Sequence, residues 1–186
     1  MHGWWAVSYI VLWIMVVTLA VLVVALARQI GALHMRLGPR GALEIDTEGP
    51  PLGSEAPART TLDREGHPVT VGGRGDPQLL LFVSPECPVC REVLPSVAVV
   101  ARQGRLTPFV VVDDPDPDGV GDTGAPVVPD PELARNFNVP GTPYAVFLDD
   151  RGTVRAKGTV NNLEQMEGLL ETAIARLNEA GHPVAQ

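Results

Sequence analysis

Residues 78–95 read Gln78-Leu79-Leu80-Leu81-Phe82-Val83-Ser84-Pro85-Glu86-Cys87-Pro88-Val89-Cys90-Arg91-Glu92-Val93-Leu94-Pro95, and this stretch decides the fold. Gln78 to Ser84 is a continuous apolar run, as in a strand buried on both faces. From Pro88 to Gln103 the apolar residues Val89, Val93, Val97 and Val100 recur at helical spacing, and Gly104 is expected to end the helix. Thr107 to Asp113 is a second buried strand. Strand, helix and strand in that order predict a right-handed parallel crossover. Pro95 lies inside the helix and is expected to kink it.

Both cysteines of the chain, Cys87 and Cys90, fall where the first strand gives way to the helix. Thiolate is the reactive form of cysteine. A helix N-terminus offers free N–H groups and a partial positive charge that favour it. Cys87 is therefore the expected nucleophile. Cys90, one turn later, can attack a mixed disulfide formed at Cys87. Pro88 suits the first turn, where its missing N–H is no loss. Glu86 opposes thiolate formation, and the Pro88-Val89 pair supplies no cation, so a thiol less extreme than that of a strong oxidant is expected. The alternatives are two buried structural cysteines, or half of an intermolecular metal site. A peroxidatic cysteine is a weaker reading, because Leu80 stands where that motif has proline.

Composition narrows the field. The chain has 186 residues, enough for one ordinary domain beside a membrane segment. From Arg40 onward 12 basic residues face 22 acidic ones, a net charge of −10, with no basic stripe, which argues against nucleic acid. Two cysteines are too few for a disulfide scaffold. The four histidines are scattered, so no metal site and no cofactor beyond a Cys87–Cys90 disulfide is expected. Asp114-Pro115-Asp116-Pro117-Asp118-Gly119 imitates the start of a calcium loop, but Ala125 stands at the twelfth position, and a solvated Pro-Asp loop is the plainer reading.

At the N-terminus, Gly3 to Ala27 is uncharged over 25 residues. As a helix it spans roughly 37 Å, more than the hydrocarbon core of a bilayer. Trp4 and Trp5 suit an interfacial belt. The run is too long for a signal peptide and lacks a basic n-region, so residues 1–28 are read as an uncleaved, single-pass cell-membrane anchor. Arg28 to Leu37 continues the helix with Ile30, Leu33, His34 and Leu37 on one face, and Gly38-Pro39 ends it. Residues 29–56 form this membrane-proximal helix and a Gly/Pro-rich linker. Arg28, Arg36 and Arg40 all lie C-terminal to the span, which by the positive-inside rule puts the domain in the cytoplasm.

Residues 57–180 form the domain, followed by a tail at 181–186. Val69 to Val71 is a short strand. Tyr144 to Asp149 and Thr153 to Lys157, joined through Asp150-Arg151-Gly152, form a hairpin. A last helix runs from about Asn162 to Glu179, with a capping box at Asn162 and Gln165 and a buried stripe of Leu163, Met166, Leu170, Ala173 and Leu177. Thr142-Pro143 directly precedes the Tyr144 strand. With a CxxC upstream it reads as a cis-proline facing the dithiol, with the Thr142 backbone free to pair with an extended client segment.

The dithiol helix with Pro95, followed by Val139-Pro140-Gly141-Thr142-Pro143, resembles the thioredoxin superfamily, especially its membrane-tethered TlpA-like branch. Residues 25–45 (ALARQIGALHMRLGPRGALEI), 84–95 (SPECPVCREVLP) and 143–171 (PYAVFLDDRGTVRAKGTVNNLEQMEGLLE) resemble the MauD family of methylamine utilisation proteins. The resemblance implies an α/β, thioredoxin-like fold, a mixed sheet flanked by helices, behind an N-terminal transmembrane helix. It implies a thiol–disulfide oxidoreductase or isomerase with catalytic Cys87 and Cys90, substrate contact at Thr142 and Pro143, and modulation by Glu86, Pro88 and Val89. It further implies a protein client with disulfides, such as the small subunit of methylamine dehydrogenase, and hence an extracytoplasmic domain, against the arginine distribution. Two departures stand out. Common thioredoxins carry a buried acid six residues before the first cysteine, where this chain has Leu81. Residues 114–130 are too short and Pro-rich for the usual crossover helix. The competing readings are a non-catalytic, membrane-tethered assembly factor and a cytoplasm-facing tethered reductase.

Overall fold

The computed structural model describes residues 3–36 and 48–179. The chain divides into two units, the N-terminal helix and the domain that follows it. Helix α1 spans Gly3–Arg36. Within it Gly3–Val23, with mean hydropathy 2.6, is long and apolar enough to cross a membrane. Its large apolar side chains from Trp4 to Val23 are exposed. Thr18 donates its hydroxyl hydrogen to the Ile14 carbonyl at 2.8 Å, so this polar group is satisfied inside the helix. The backbone is helical through Arg36, as expected. The expected stop at Gly38-Pro39, the 37–47 part of the linker and the tail lie outside the described residues.

In the domain, β1 (Arg59–Leu62) and β2 (Pro68–Val71) form an antiparallel pair. The main sheet has the order β5-β4-β3-β6-β7, built from β3 (Gln78–Val83), β4 (Thr107–Val112), β5 (Val127–Pro129), β6 (Tyr144–Leu148) and β7 (Val154–Thr159). Strands β3, β4 and β5 run parallel, while β6 and β7 are antiparallel to their neighbours. All six residues of β3 and all five of β6 are buried, as their unbroken apolar runs require.

Two apolar layers enclose the sheet. On one face, α2 (Pro88–Gly104) and α4 (Leu163–Glu179) pack Val93, Val97, Val100, Met166 and Leu169 against Leu79, Leu81, Val110 and Phe147. On the other, α3 (Pro131–Asn136) and the β1–β2 hairpin cover Leu80, Phe82, Val111 and Val146 with Leu133, Phe137 and Val71. Helices therefore lie on both faces of a mixed sheet.

Several expectations need correction. Gly104 belongs to α2; the left-handed residue that ends the helix is Arg105, at φ 52°. Val89 is 39% exposed, off the buried stripe that begins at Cys90 and Val93. In α4 Leu163 is exposed and Leu169 takes its place in the core. Asn162 accepts from the Gln165 N–H, but Gln165 reaches back to the N–H of Asn161, one residue beyond the usual capping box. Residues 114–130 carry no crossover helix, as their length and prolines indicated.

Candidate active site

Val83 ends β3, and a turn closed by the Cys87 N–H donating to the Ser84 carbonyl delivers Cys87 to the start of α2. Cys87 is the N-cap residue. It has extended backbone angles, and its sulfur accepts the Cys90 N–H at 3.1 Å. A cap position normally held by a serine or aspartate oxygen is thus held by sulfur. The same N–H and the helix dipole favour a thiolate at Cys87 when the pair is reduced.

Cys87 and Cys90 are joined as a disulfide, with Cα atoms 5.3 Å apart. Their burial differs. Cys87 is half-buried, whereas Cys90 is 1% exposed and packs with Leu81, Val83, Val93 and Leu94. An incoming sulfur therefore reaches Cys87, and the apolar shell disfavours a charged Cys90.

The Thr142–Pro143 peptide bond is cis. The Thr142 carbonyl oxygen lies 3.9 Å from Cys87 Sγ, a contact with no S–H to donate while the disulfide stands. Pro143 is buried and Thr142 half-buried. The structure thus brings together Cys87, Cys90, Thr142 and Pro143, with Glu86, Pro88 and Val89 exposed around them.

Three features escaped the sequence. One is an acidic cleft of about 490 Å³ beside the dithiol turn, lined by Glu86, Asp113, Asp114, Asp116 and Asp118. Gly119 lies so close to Pro85 that any side chain there would collide with it, which seats the acidic loop against the turn. The second is the brace for that loop: Arg64, in the β1–β2 turn, donates to the Val120 carbonyl at 2.7 Å. The Asp114 and Asp116 carboxylates accept N–H groups of their own loop. Among the described residues no three His, Cys, Asp or Glu side chains gather as a metal site would require. The third feature is the Glu48 carbonyl, which receives both the Tyr144 hydroxyl at 3.3 Å and the Lys157 ammonium at 2.6 Å behind Pro143. Strand alternation alone does not mark Lys157 as buried.

A family model described as Thioredoxin-like domain matches residues 67–174. The methylamine utilization protein MauD of Methylorubrum extorquens is 37% identical over 176 residues, covering 88% of this chain and 84% of that protein. MauD of Methylobacillus flagellatus is 34% identical over 188 residues, covering 96% and 89%. Among solved structures, a thio-disulfide isomerase from Thermus thermophilus aligns with a TM-score of 0.52 at 24% identity, covering 68% of this chain and 96% of that one. The fold is thioredoxin-like.

Proposed function

The chain belongs to the MauD family of the thioredoxin superfamily and is a thiol–disulfide oxidoreductase, and from that premise we propose that it exchanges disulfides with a protein client while anchored to the membrane by α1. In this reading residues 1–28 are the anchor, 29–56 the tether, 57–180 the catalytic domain and 181–186 a tail. The observation that carries it is the Cys87–Cys90 disulfide at the strand-to-helix junction, with one sulfur reachable and one buried, beside the Thr142 carbonyl.

The steps follow from that asymmetry. In the reduced protein the Cys87 thiolate attacks one sulfur of a client disulfide, and the other client sulfur leaves as thiolate. Cys90 loses its proton and attacks Cys87 Sγ, which releases the second client sulfur and closes the Cys87–Cys90 disulfide. Two electrons pass to the client, and an external dithiol must supply them for the next cycle. With an oxidised protein and a reduced client the same steps run backwards, the direction being set by the two potentials. Thr142 offers backbone groups to an extended client segment and Pro143 shapes the contact. Leu81 stands where a carboxylate would assist Cys90, so the proton from Cys90 passes to water or to another group. The Cys87–Cys90 pair is the redox group of this scheme, with no added cofactor.

The relatives are named methylamine utilization proteins, which supports as client a disulfide-containing protein of that process, such as the small subunit of methylamine dehydrogenase. Such clients are exported, which supports an extracytoplasmic domain. The arginines at positions 28, 36 and 40 favour the opposite side and with it a tethered cytoplasmic reductase. An impermeant maleimide applied to intact cells after mild reduction separates the two: Cys87 labels from outside in the first case and only after lysis in the second. For the chemistry, Cys90→Ser is expected to trap client adducts on non-reducing gels, and Cys87→Ser to abolish them. Client maturation that survives Cys87→Ser would instead establish a non-catalytic assembly factor.

A further inference from the structure

Lys157, within β7, is 0% exposed. Burying an ammonium is costly unless it is well satisfied, and an apolar residue would fill the same space without that cost. On β7 Lys157 stands opposite Val146, hence on the same sheet face as Tyr144. Its Nζ donates to the Glu48 carbonyl at 2.6 Å, and the Tyr144 hydroxyl donates to the same oxygen at 3.3 Å, using both of its lone pairs. Gly49, at φ 72°, lies against the Tyr144 ring, where a Cβ would collide with it, and Pro50 is buried. The segment is then stitched to β7 by the Gly53 N–H donating to the Val154 carbonyl and the Val154 N–H to that of Ser54, both at 2.9 Å. Tyr144 directly follows Pro143, and its partner in β3 is Phe82, at the dithiol end of the sheet.

We propose that this clasp, Lys157 and Tyr144 on the Glu48 carbonyl, positions the Thr142-Pro143 edge for pairing with an extended protein client. Both are positioning residues: neither meets the reacting sulfurs, and each acts by holding the start of β6, which Thr142-Pro143 directly precedes. The inference rests on the disulfide-exchange reading above.

The test compares two substrates of the reduced, full-length protein in detergent: disulfide-bonded insulin, which presents an extended segment, and hydroxyethyl disulfide, which presents none. Lys157→Met keeps chain length and removes the charged donor; Tyr144→Phe removes one hydroxyl and keeps the ring. Lys157→Met is expected to slow insulin exchange about tenfold and Tyr144→Phe about threefold through lost orientation, with hydroxyethyl disulfide rates unchanged in both. Parallel loss on both substrates would reduce the clasp to a structural support, and unchanged insulin rates would remove it altogether; either overturns the inference. If Lys157→Met fails to fold, Tyr144→Phe decides by the same ratio. A wild-type protein inert toward both disulfides would instead sink the exchange reading, and the inference with it.

Discussion

Asp149 illustrates how one side chain fixes a turn. Its Oδ1 accepts the N–H groups of Arg151 and Thr153, and its Oδ2 meets the Arg155 guanidinium at 2.7–2.8 Å. Burial raises its pKa, but the Thr153 N–H, Arg155 and the Arg151 N–H outweigh it, and the carboxyl is held below the usual range. A depressed carboxyl contributes stability that is present above its unfolded pKa and lost as pH falls through its folded one. Asp149→Asn should therefore cost about 2–3 kcal/mol at pH 7, where charge-assisted bonds are lost. The cost should shrink as the pH falls below about 4; urea unfolding at both pH values measures it, and an equal cost at each would contradict this assignment. At this scale the dithiol, Thr142 and Pro143 were all legible, because strand–CxxC–helix and a Pro at a strand start leave sequence signatures. Lys157 was not. A lysine on an edge strand reads as solvated until the Glu48 segment is seen lying across it. The exposure of Val89 was missed for the opposite reason: helical spacing fits it to the stripe, but the helix has only begun.

Among the elements, β3, β4, β6, α2 and α4 were legible from apolar runs and periodicity, β2 as a short strand and β7 from the hairpin turn before it, whereas β1, β5 and α3 were not. Strands β1 and β5 have four and three residues, too few for a period to show. Helix α3 has six residues but carries an overlooked signal: Asp130 caps it, accepting from Glu132 and Leu133, and Pro131 follows at its first position. Arg59 completes this joint by pairing with Asp130 and Glu132, which ties β1 to the start of α3. The cap of α4 gives a prediction at this scale. Asn162→Ala removes the acceptor for the Gln165 N–H and should destabilise the domain by about 1 kcal/mol, read as a lower urea midpoint with an unchanged m-value. No change in midpoint would mean that Gln165 is satisfied elsewhere.

For the molecule as a whole, charge sets the terms on which the dithiol meets a partner. The chain carries a net charge of −8 and gathers five carboxylates in the cleft beside the dithiol turn. Such a field attracts cations and is screened by salt within about 10 Å at 0.1 M. The reduced protein should accordingly react with cationic cystamine relative to anionic oxidised glutathione about two- to fivefold better at 20 mM than at 500 mM salt. A ratio indifferent to salt would show that the cleft does not reach the reacting sulfur. The overall plan, one apolar helix and one acidic domain, was legible from composition; the acidic cleft was not, since it forms only when Gly119 seats its loop against Pro85. The central claim is that Cys87 is the nucleophile and Cys90 the shielded partner. Its most direct test is limited alkylation of the fully reduced, full-length protein with iodoacetamide at pH 7, with each cysteine quantified by mass spectrometry. Cys87 is predicted to be modified at least about tenfold faster than Cys90, because it alone combines the helix N-terminus with access to solvent. Equal rates, or faster modification of Cys90, would contradict the account.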